Sequence, residues 1–436
     1  MKIISGSMFL GYKILFRSHA SRKTTGHLIG AIIGIGLSLV PLITVIQVSN
    51  GMIEGITRRF IEIGSYHMQV RSYSPHSDEE TAQAIDILSD HNSVMRAFPI
   101  IFGEGLVYSP KGKTGIAVRS LPADSYSADE GLQKYLIIEE GEFSLTGRDD
   151  ALLSREVADM LNVKSGDKIR LLTAKTLPGR DPVLRPSLFT VRGIFSTGYY
   201  ELDALSMYIP LDTGRVLFQD PLNFTIGVKL KDPYDRVNLT ASELAEELPE
   251  DWFVYTWYNL ERNMLESFNT TRNLLVFIMV LIVLVAAVNI SSSMVMLVLE
   301  KEPEIAMLKS MGVSSDKITA AFLYTGFFIG LTAAVLGTIL GIVCAVNINE
   351  IIRALETSTQ AFSSISRNIL NPLGFDLQSS SRIFDRSYYL ETIPIRLQFR
   401  DVLWTAIGTL FLSVAAAYLP ARRAGLIRPI EILRKH

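Results

Sequence analysis

Few residues in this sequence are spaced for chemistry, and each candidate has a plainer reading. Gly112, Lys113 and Thr114 spell the end of a phosphate-binding loop. That loop needs a glycine five residues before Gly112, and Val107 stands there, so a hairpin turn fits better. His76 precedes Asp78, Glu79 and Glu80, a possible metal donor set. Acidic residues in a first helical turn are ordinary partners of the helix dipole. No HExxH or GxSxG occurs. Cys344 is the single cysteine, so no disulfide framework or cysteine-based metal site is available. Asn223, Asn238 and Asn269 head N-x-T triplets of a kind that arises by chance. The expectation is a chain that is not an enzyme, with no catalytic, cofactor-binding or metal residues of its own.

What remains is chemistry of contact. Between two long apolar runs lies LEKEPEIAMLKSMGVSSDKI, Leu299 to Ile318. Pro303 suits a first helical turn and Gly312 suits its end. Ile305, Leu308 and Met311 recur at steps of three, one face of a short helix. Ser314 and Ser315 offer caps for the helix that follows. Glu302, Glu304, Ile305, Leu308, Met311 and Gly312 are therefore expected to dock into a groove of a cytoplasmic partner protein, the alternative being an interfacial helix that lies on lipid. In TAKTLPGRDPVLRPSLF, the breakers Pro178, Gly179, Pro182 and Pro186 predict an irregular projecting loop.

The elements that position these segments follow from hydropathy. The chain has 436 residues, 48% of them hydrophobic. The apolar runs are 28–48, 274–298, 318–346 and 402–419, each near the ~20 residues that cross a hydrocarbon core. They carry no charged residue, which argues against a proton relay. The formal net charge is −2, so no attraction to nucleic acid is implied. Lys2, Lys13, Arg17, Arg22 and Lys23 precede the first run, and Arg422, Arg423, Arg428, Arg434 and Lys435 follow the last. Such positive flanks place both termini, and the segment 299–317, in the cytoplasm. Residues 1–27 read as an amphipathic cytoplasmic segment and 420–436 as a tail. Residues 347–401 form a second outside loop, rich in arginine but with acids interspersed.

Residues 49–273 are long enough for a domain. HMQVRSYS, a helix capped by Ser77 and Glu80, and AFPIIFGEGLVYS give strand–helix–strand, and NFTIGVKL, VNLTASELAEEL and WFVYTW repeat it. The two ends should pair into one α+β lobe, with about 122–222 inserted as a strand-rich second lobe. GAIIG, GFFIG and GTILG (Gly30, Gly34, Gly326, Gly330, Gly337, Gly341) are small-xxx-small faces for close helix packing. Pro41 is placed to kink the first span.

Four stretches carry a resemblance: VSNGMIEGITRRFIEIGSYHMQV, FTVRGIFSTGYYELDALSMYIPL, LIVLVAAVNISSSMVMLVLEKEPEIAMLKSMGVSS and YLPARRAGLIRPIEILR. With them the chain resembles the LolC/LolE permeases of lipoprotein-releasing ABC transporters, within the larger MacB and FtsX group. The resemblance implies a four-span membrane α-helical protein with a large two-lobed α+β extracytoplasmic domain, the MacB-like periplasmic core. It implies a bacterial inner-membrane permease that extracts lipoproteins from the outer leaflet. Glu302–Met311 would then be the coupling helix seated on a cytoplasmic ABC ATPase dimer, which would bind ATP and Mg. The other implied partners are a second permease, identical or paralogous, a lipoprotein substrate, membrane lipid and a periplasmic lipoprotein carrier. Leu177, Pro178, Gly179, Arg180 and Pro182 look similar to the hook with which one of the two permeases of that family recruits the carrier, the alternative being a plain surface loop. Acyl chains need an apolar cleft open to lipid, and Ile43, Ile46, Met52, Ile56, Met264, Phe268 and Leu275 are best placed to line it. The competing readings are a MacB-type efflux or signal-coupling permease and a membrane-anchored sensor or scaffold that transports nothing.

Overall fold

The computed structural model describes residues 22–175, 183–370 and 394–428. The carrier-loop candidates Leu177, Pro178, Gly179, Arg180 and Pro182 lie outside them, as does most of the N-terminal segment. Two compact units divide the chain, one formed by residues 52–268 and 358–393, the other by the remainder.

Ten strands build the first unit among the described residues: β1 (Met68–Ser72), β2 (Val94–Tyr108), β3 (Lys113–Leu121), β4 (Ile137–Gly141), β5 (Asp150–Ser154), β6 (Lys168–Lys175), β7 (Val183–Ser196), β8 (Ser206–Pro210), β9 (Phe224–Leu230) and β10 (Trp252–Thr256). The order β10-β1-β9-β2 is antiparallel throughout. The helix Asp78–Asp90 links β1 to β2, and Val237–Glu247 links β9 to β10. This is the split β-α-β arrangement of ferredoxin-like lobes. Ser77 closes its capping box with Glu80, fixing the first helix start. The core here is Met68, Val70, Leu88, Ile226, Val228, Leu244 and Trp252.

The second lobe differs from the expected insertion at 122–222. It closes as a ring, β2-β3-β8-β5-β7-β6 and back to β2, so it takes in strands from before residue 122. β2 belongs to both lobes. Its first half, 94–101, pairs with β9, and Leu106–Tyr108 pairs with β6. Gly103 and Gly105 sit at the changeover. A Cβ on Gly105 would lie 2.9 Å from Leu171 and from the Leu172 carbonyl, and one on Gly103 would meet the Phe218 ring. Bare backbone lets β2 pass that close. Closure leaves the ring no open edge, and Val118, Leu153, Leu171, Phe189, Val191 and Ile209 fill its core.

Among the described residues, four helices are long and apolar enough to cross a membrane. They are Arg22–Arg59, which continues into a π-turn at Phe60–Gly64, then Arg262–Glu300, Ser315–Val346 and Phe399–Leu426. The first runs unbroken past Pro41. Each is longer than its apolar run because polar turns extend it at one or both ends. The stretch after the third, read from the sequence as loop, begins with a further helix, Ile348–Leu370.

Candidate functional site

The short helix between the second and third spanning helices forms at Glu302–Ser310, with Pro303 in its first turn. Gly312 follows at φ +89°, a left-handed turn that favours glycine. Ile305 is buried among Leu297, Ile318 and Ala421 of the spanning helices' core cluster, and Ala306 beside it is fully buried. Lys309 donates to the carbonyls of Gly425 (2.6 Å) and Ile427 (2.8 Å), orphan acceptors at the end of the fourth helix. Lys301, itself buried, pairs with Glu304 at 2.5 Å. The helix is therefore fixed on its inner side.

That inner side corrects the expected docking face. Ile305 points into the core, Leu308 is half-buried, and only Met311 of the three is fully outward, 68% exposed. Met307, 60% exposed, joins it on the outside with Pro303 and Glu304. A step of three from Ile305 selects a stripe that winds from inside to outside, because the inner face of this helix is apolar too.

The cargo candidates also divide. Ile43 is buried against the third helix, where a Cβ on Gly341 would touch its side chain at 2.9 Å, and Ile46 packs on the same cluster. Both belong to intrachain packing rather than to a cleft open to lipid. Met52 and Leu275 are half-buried. Ile56, Met264 and Phe268 come together with Phe60, Tyr199 and Leu202 in one cluster. Two separate helical extensions thus meet over an apolar patch.

Sequence reasoning missed two polar constructions. In the helical unit, Asn50 donates to Asp401 (2.9 Å), the Gln398 amide donates to Gln47 (2.8 Å), and Arg272 reaches Asp401 at 3.5 Å. This collar joins the first, second and fourth helices. Gly51 presses on the Pro394 carbonyl, where no Cβ fits. In the β domain, Lys229 is 1% exposed and binds Glu62 (2.5 Å), the Glu62 carbonyl (2.8 Å) and Asp129 (3.3 Å). His67 accepts from the Leu230 amide at its Nδ1 (2.7 Å), which leaves the proton on Nε2, 3.3 Å from Glu62. Asp129 also caps the helix Glu130–Tyr135 through the Leu132 amide. The π-turn is thereby pinned to β9 and to that helix. The signal was there in part: Lys229 interrupts the strand NFTIGVKL at an otherwise buried position.

Two family models match. The MacB-like periplasmic core domain covers residues 28–245, half the chain, and the FtsX-like permease C-terminal model covers 276–427. The chain belongs to this MacB-like, FtsX-like permease family. The two-lobed α+β domain lies within the MacB-like core match for most of its length. The lipoprotein-releasing system transmembrane protein LolC of Neisseria meningitidis is 27% identical over 411 residues, 93% of each chain. LolE of Haemophilus influenzae is 24% identical over 417 residues, again 93% of each. The solved periplasmic region of MacB from Actinobacillus actinomycetemcomitans aligns with 47% of this chain and 95% of that one, at 14% identity and a TM-score of 0.31.

Proposed function

We infer that this chain is the permease subunit of a lipoprotein-releasing ABC transporter. Similarity along 93% of both chains to LolC supports the class. The observation that carries the mechanism is the short helix Glu302–Ser310, locked by Ile305, Ala306 and Lys309 while Met307 and Met311 stand free to enter a groove. A knob fixed on one side moves its whole helical unit when pushed. The pusher is a cytoplasmic ATPase dimer that binds ATP and Mg. Its closure drives the four helices, and the first and second of them run on into the extracytoplasmic domain.

The protein sits in the inner membrane with both termini cytoplasmic, beside a second permease, identical or paralogous. Lipid-linked cargo enters from the outer leaflet along the extensions of the first two helices. Ile56, Met264 and Phe268, with Met52 one turn before Ile56 on the same helix, supply the apolar surface. Each buried methylene contributes about 0.8 kcal/mol, so several acyl chains hold firmly and require driven release. The segment 177–182 then recruits the soluble carrier.

Replacing Met307 by Glu tests the reading. An apolar anchor in a desolvated pocket often carries more than ~2 kcal/mol of binding. Met307→Glu should abolish co-purification of the ATPase while the chain still inserts in the membrane. Full retention of the ATPase by Met307→Glu combined with Met311→Glu would refute it.

A further inference from the structure

The extracytoplasmic domain contains an open cavity of about 220 Å³. It is lined by Phe60 and Ser65 around the π-turn, Arg71 on β1, Phe102 on β2, Arg119 on β3, and Glu261 just before the second spanning helix. Neither arginine forms an ion pair among the described residues. Arg96, Arg155, Arg192 and Arg215 of the same domain each hold a carboxylate: Asp124, Glu139, Asp150 and Asp78. Arg71 gives Nε and Nη2 to the single Oε1 of Gln69, at 3.1 and 2.5 Å, and lies over the Tyr255 ring. Arg119 gives Nη1 to Ser206 Oγ at a long 3.3 Å, and its Nε is buried without an acceptor. Two half-satisfied guanidinium groups thus share one cavity with a single carboxyl. Burial raises the pKa of that Glu261 carboxyl, against the opposing pull of Arg119 and a hydrogen bond from Ser65. The cavity is net positive.

The backbone beside it is unusual. The π-turn ends at Gly64, and Tyr66 follows at φ 57°, fully buried with its hydroxyl unpartnered. A bulky residue in the left-handed region is held at a cost, and such positions gather at binding sites.

We propose that this cavity binds a small phosphate-type oxyanion through Arg71 and Arg119. Guanidinium forks match phosphate oxygens bidentately. The two oxygens of a carboxylate lie in one plane and face one fork, whereas the tetrahedrally arranged oxygens of a phosphate, two of them free even in a diester, can each accept from a separate guanidinium. At ~30 Å³ per water, the cavity displaces several waters and holds a phosphate with a short ester arm. Phe60 belongs both to the lining and to the cluster of Ile56, Met264 and Phe268, so an apolar ester substituent has a surface to follow. The anion is either free phosphate or the phosphodiester of a lipid headgroup. The site shares only Phe60 with the cargo patch and does not depend on the transport reading.

Titration calorimetry on the full chain in uncharged maltoside detergent separates these sources. The probes are inorganic phosphate, glycerophosphoglycerol and dihexanoyl phosphatidylglycerol. Saturable binding of inorganic phosphate assigns the free anion. Binding of the two diesters without phosphate assigns the headgroup. Arg119→Gln and Arg71→Gln should each weaken the bound probe tenfold or more. Glu261→Gln should tighten it severalfold, a gain that a folding defect cannot produce. The proposal is overturned if no probe saturates, if folded Arg119→Gln binds like the parent, or if Glu261→Gln leaves affinity unchanged.

Discussion

The spanning helices and the extracytoplasmic domain lock their elements together by different means. The helices do it with small residues. A Cβ on Gly337 would lie 2.8 Å from the Gly36 carbonyl and 2.9 Å from Leu39, and one on Gly326 would lie 2.5 Å from Ala417. Ser413 donates to the Gly326 carbonyl at 3.1 Å in the same seam. In lipid there is no hydrophobic gain from apposing two apolar helices, so close packing and such hydrogen bonds hold them. The extracytoplasmic domain has water outside and an aliphatic core inside, and it tolerates a buried charge cluster as a pin. The contrast teaches where each region resists change. The helices resist added volume, and the domain resists lost charge.

The largest effect should come from Lys229→Met. It removes the cation from between Glu62 and Asp129 and strands a carboxylate that is almost fully buried. Breaking one side of a buried pair costs about 3–5 kcal/mol. Chemical unfolding followed by the fluorescence of Trp252, buried in the ferredoxin-like lobe, measures it. A loss below ~1 kcal/mol would show that the cluster is only a solvated contact.

Next is Ile305→Ala, which opens a cavity beneath the short helix and should cost about 2–4 kcal/mol in thermal stability. Met307→Ala, two residues on but on the outside, should leave stability within ~0.5 kcal/mol while weakening ATPase capture. Equal stability losses in the two variants would erase the distinction between inner and outer faces.

The sequence reveals these regions unequally. Four charge-free runs of spanning length, and a Pro and a Gly bracketing the short helix, are local signals, and the structure has a helix at each. The Ser77–Glu80 capping box is equally local and forms. Which face of Glu302–Ser310 turns inward depends on what lies beneath it, which includes Ala421, far away in the chain. Ring closure rests on β6 pairing with β2, some sixty residues earlier, and no local pattern encodes it. The Lys229 cluster escapes for the same reason: Glu62 and Asp129 each read alone as a surface charge, and only Lys229, inside an apolar strand, hints at burial. The cavity arginines are legible only once β1 and β3 are brought to one wall.

Gly337→Ala comes third. Overpacking a tight seam costs about 1–3 kcal/mol, and here the first atom met is a backbone carbonyl that cannot rotate away. A lowered melting temperature of the detergent-solubilised chain is expected. Retention of the parent value would mean that the first and third helices separate freely.

The smallest effect on the chain itself should come from Gly30→Ala. Its sequence motif matches that of Gly337, yet nothing within 4 Å meets an added Cβ at Gly30 or at Gly34. Both lie on the helix that exposes Ile29, Ile33 and Leu37. A methyl group there meets no neighbour of the same subunit, so the melting temperature should stay within experimental scatter. If the second permease packs on this face, the same methyl would hold two backbones apart and lower the yield of intact transporter. Reading both quantities from one preparation separates the alternatives. A stable chain with less partner bound places the subunit seam at Gly30. A stable chain with the partner fully bound moves the seam to another helix. A destabilised chain would mean that Gly30 is packed within its own subunit after all, and the contrast with Gly337 would fall.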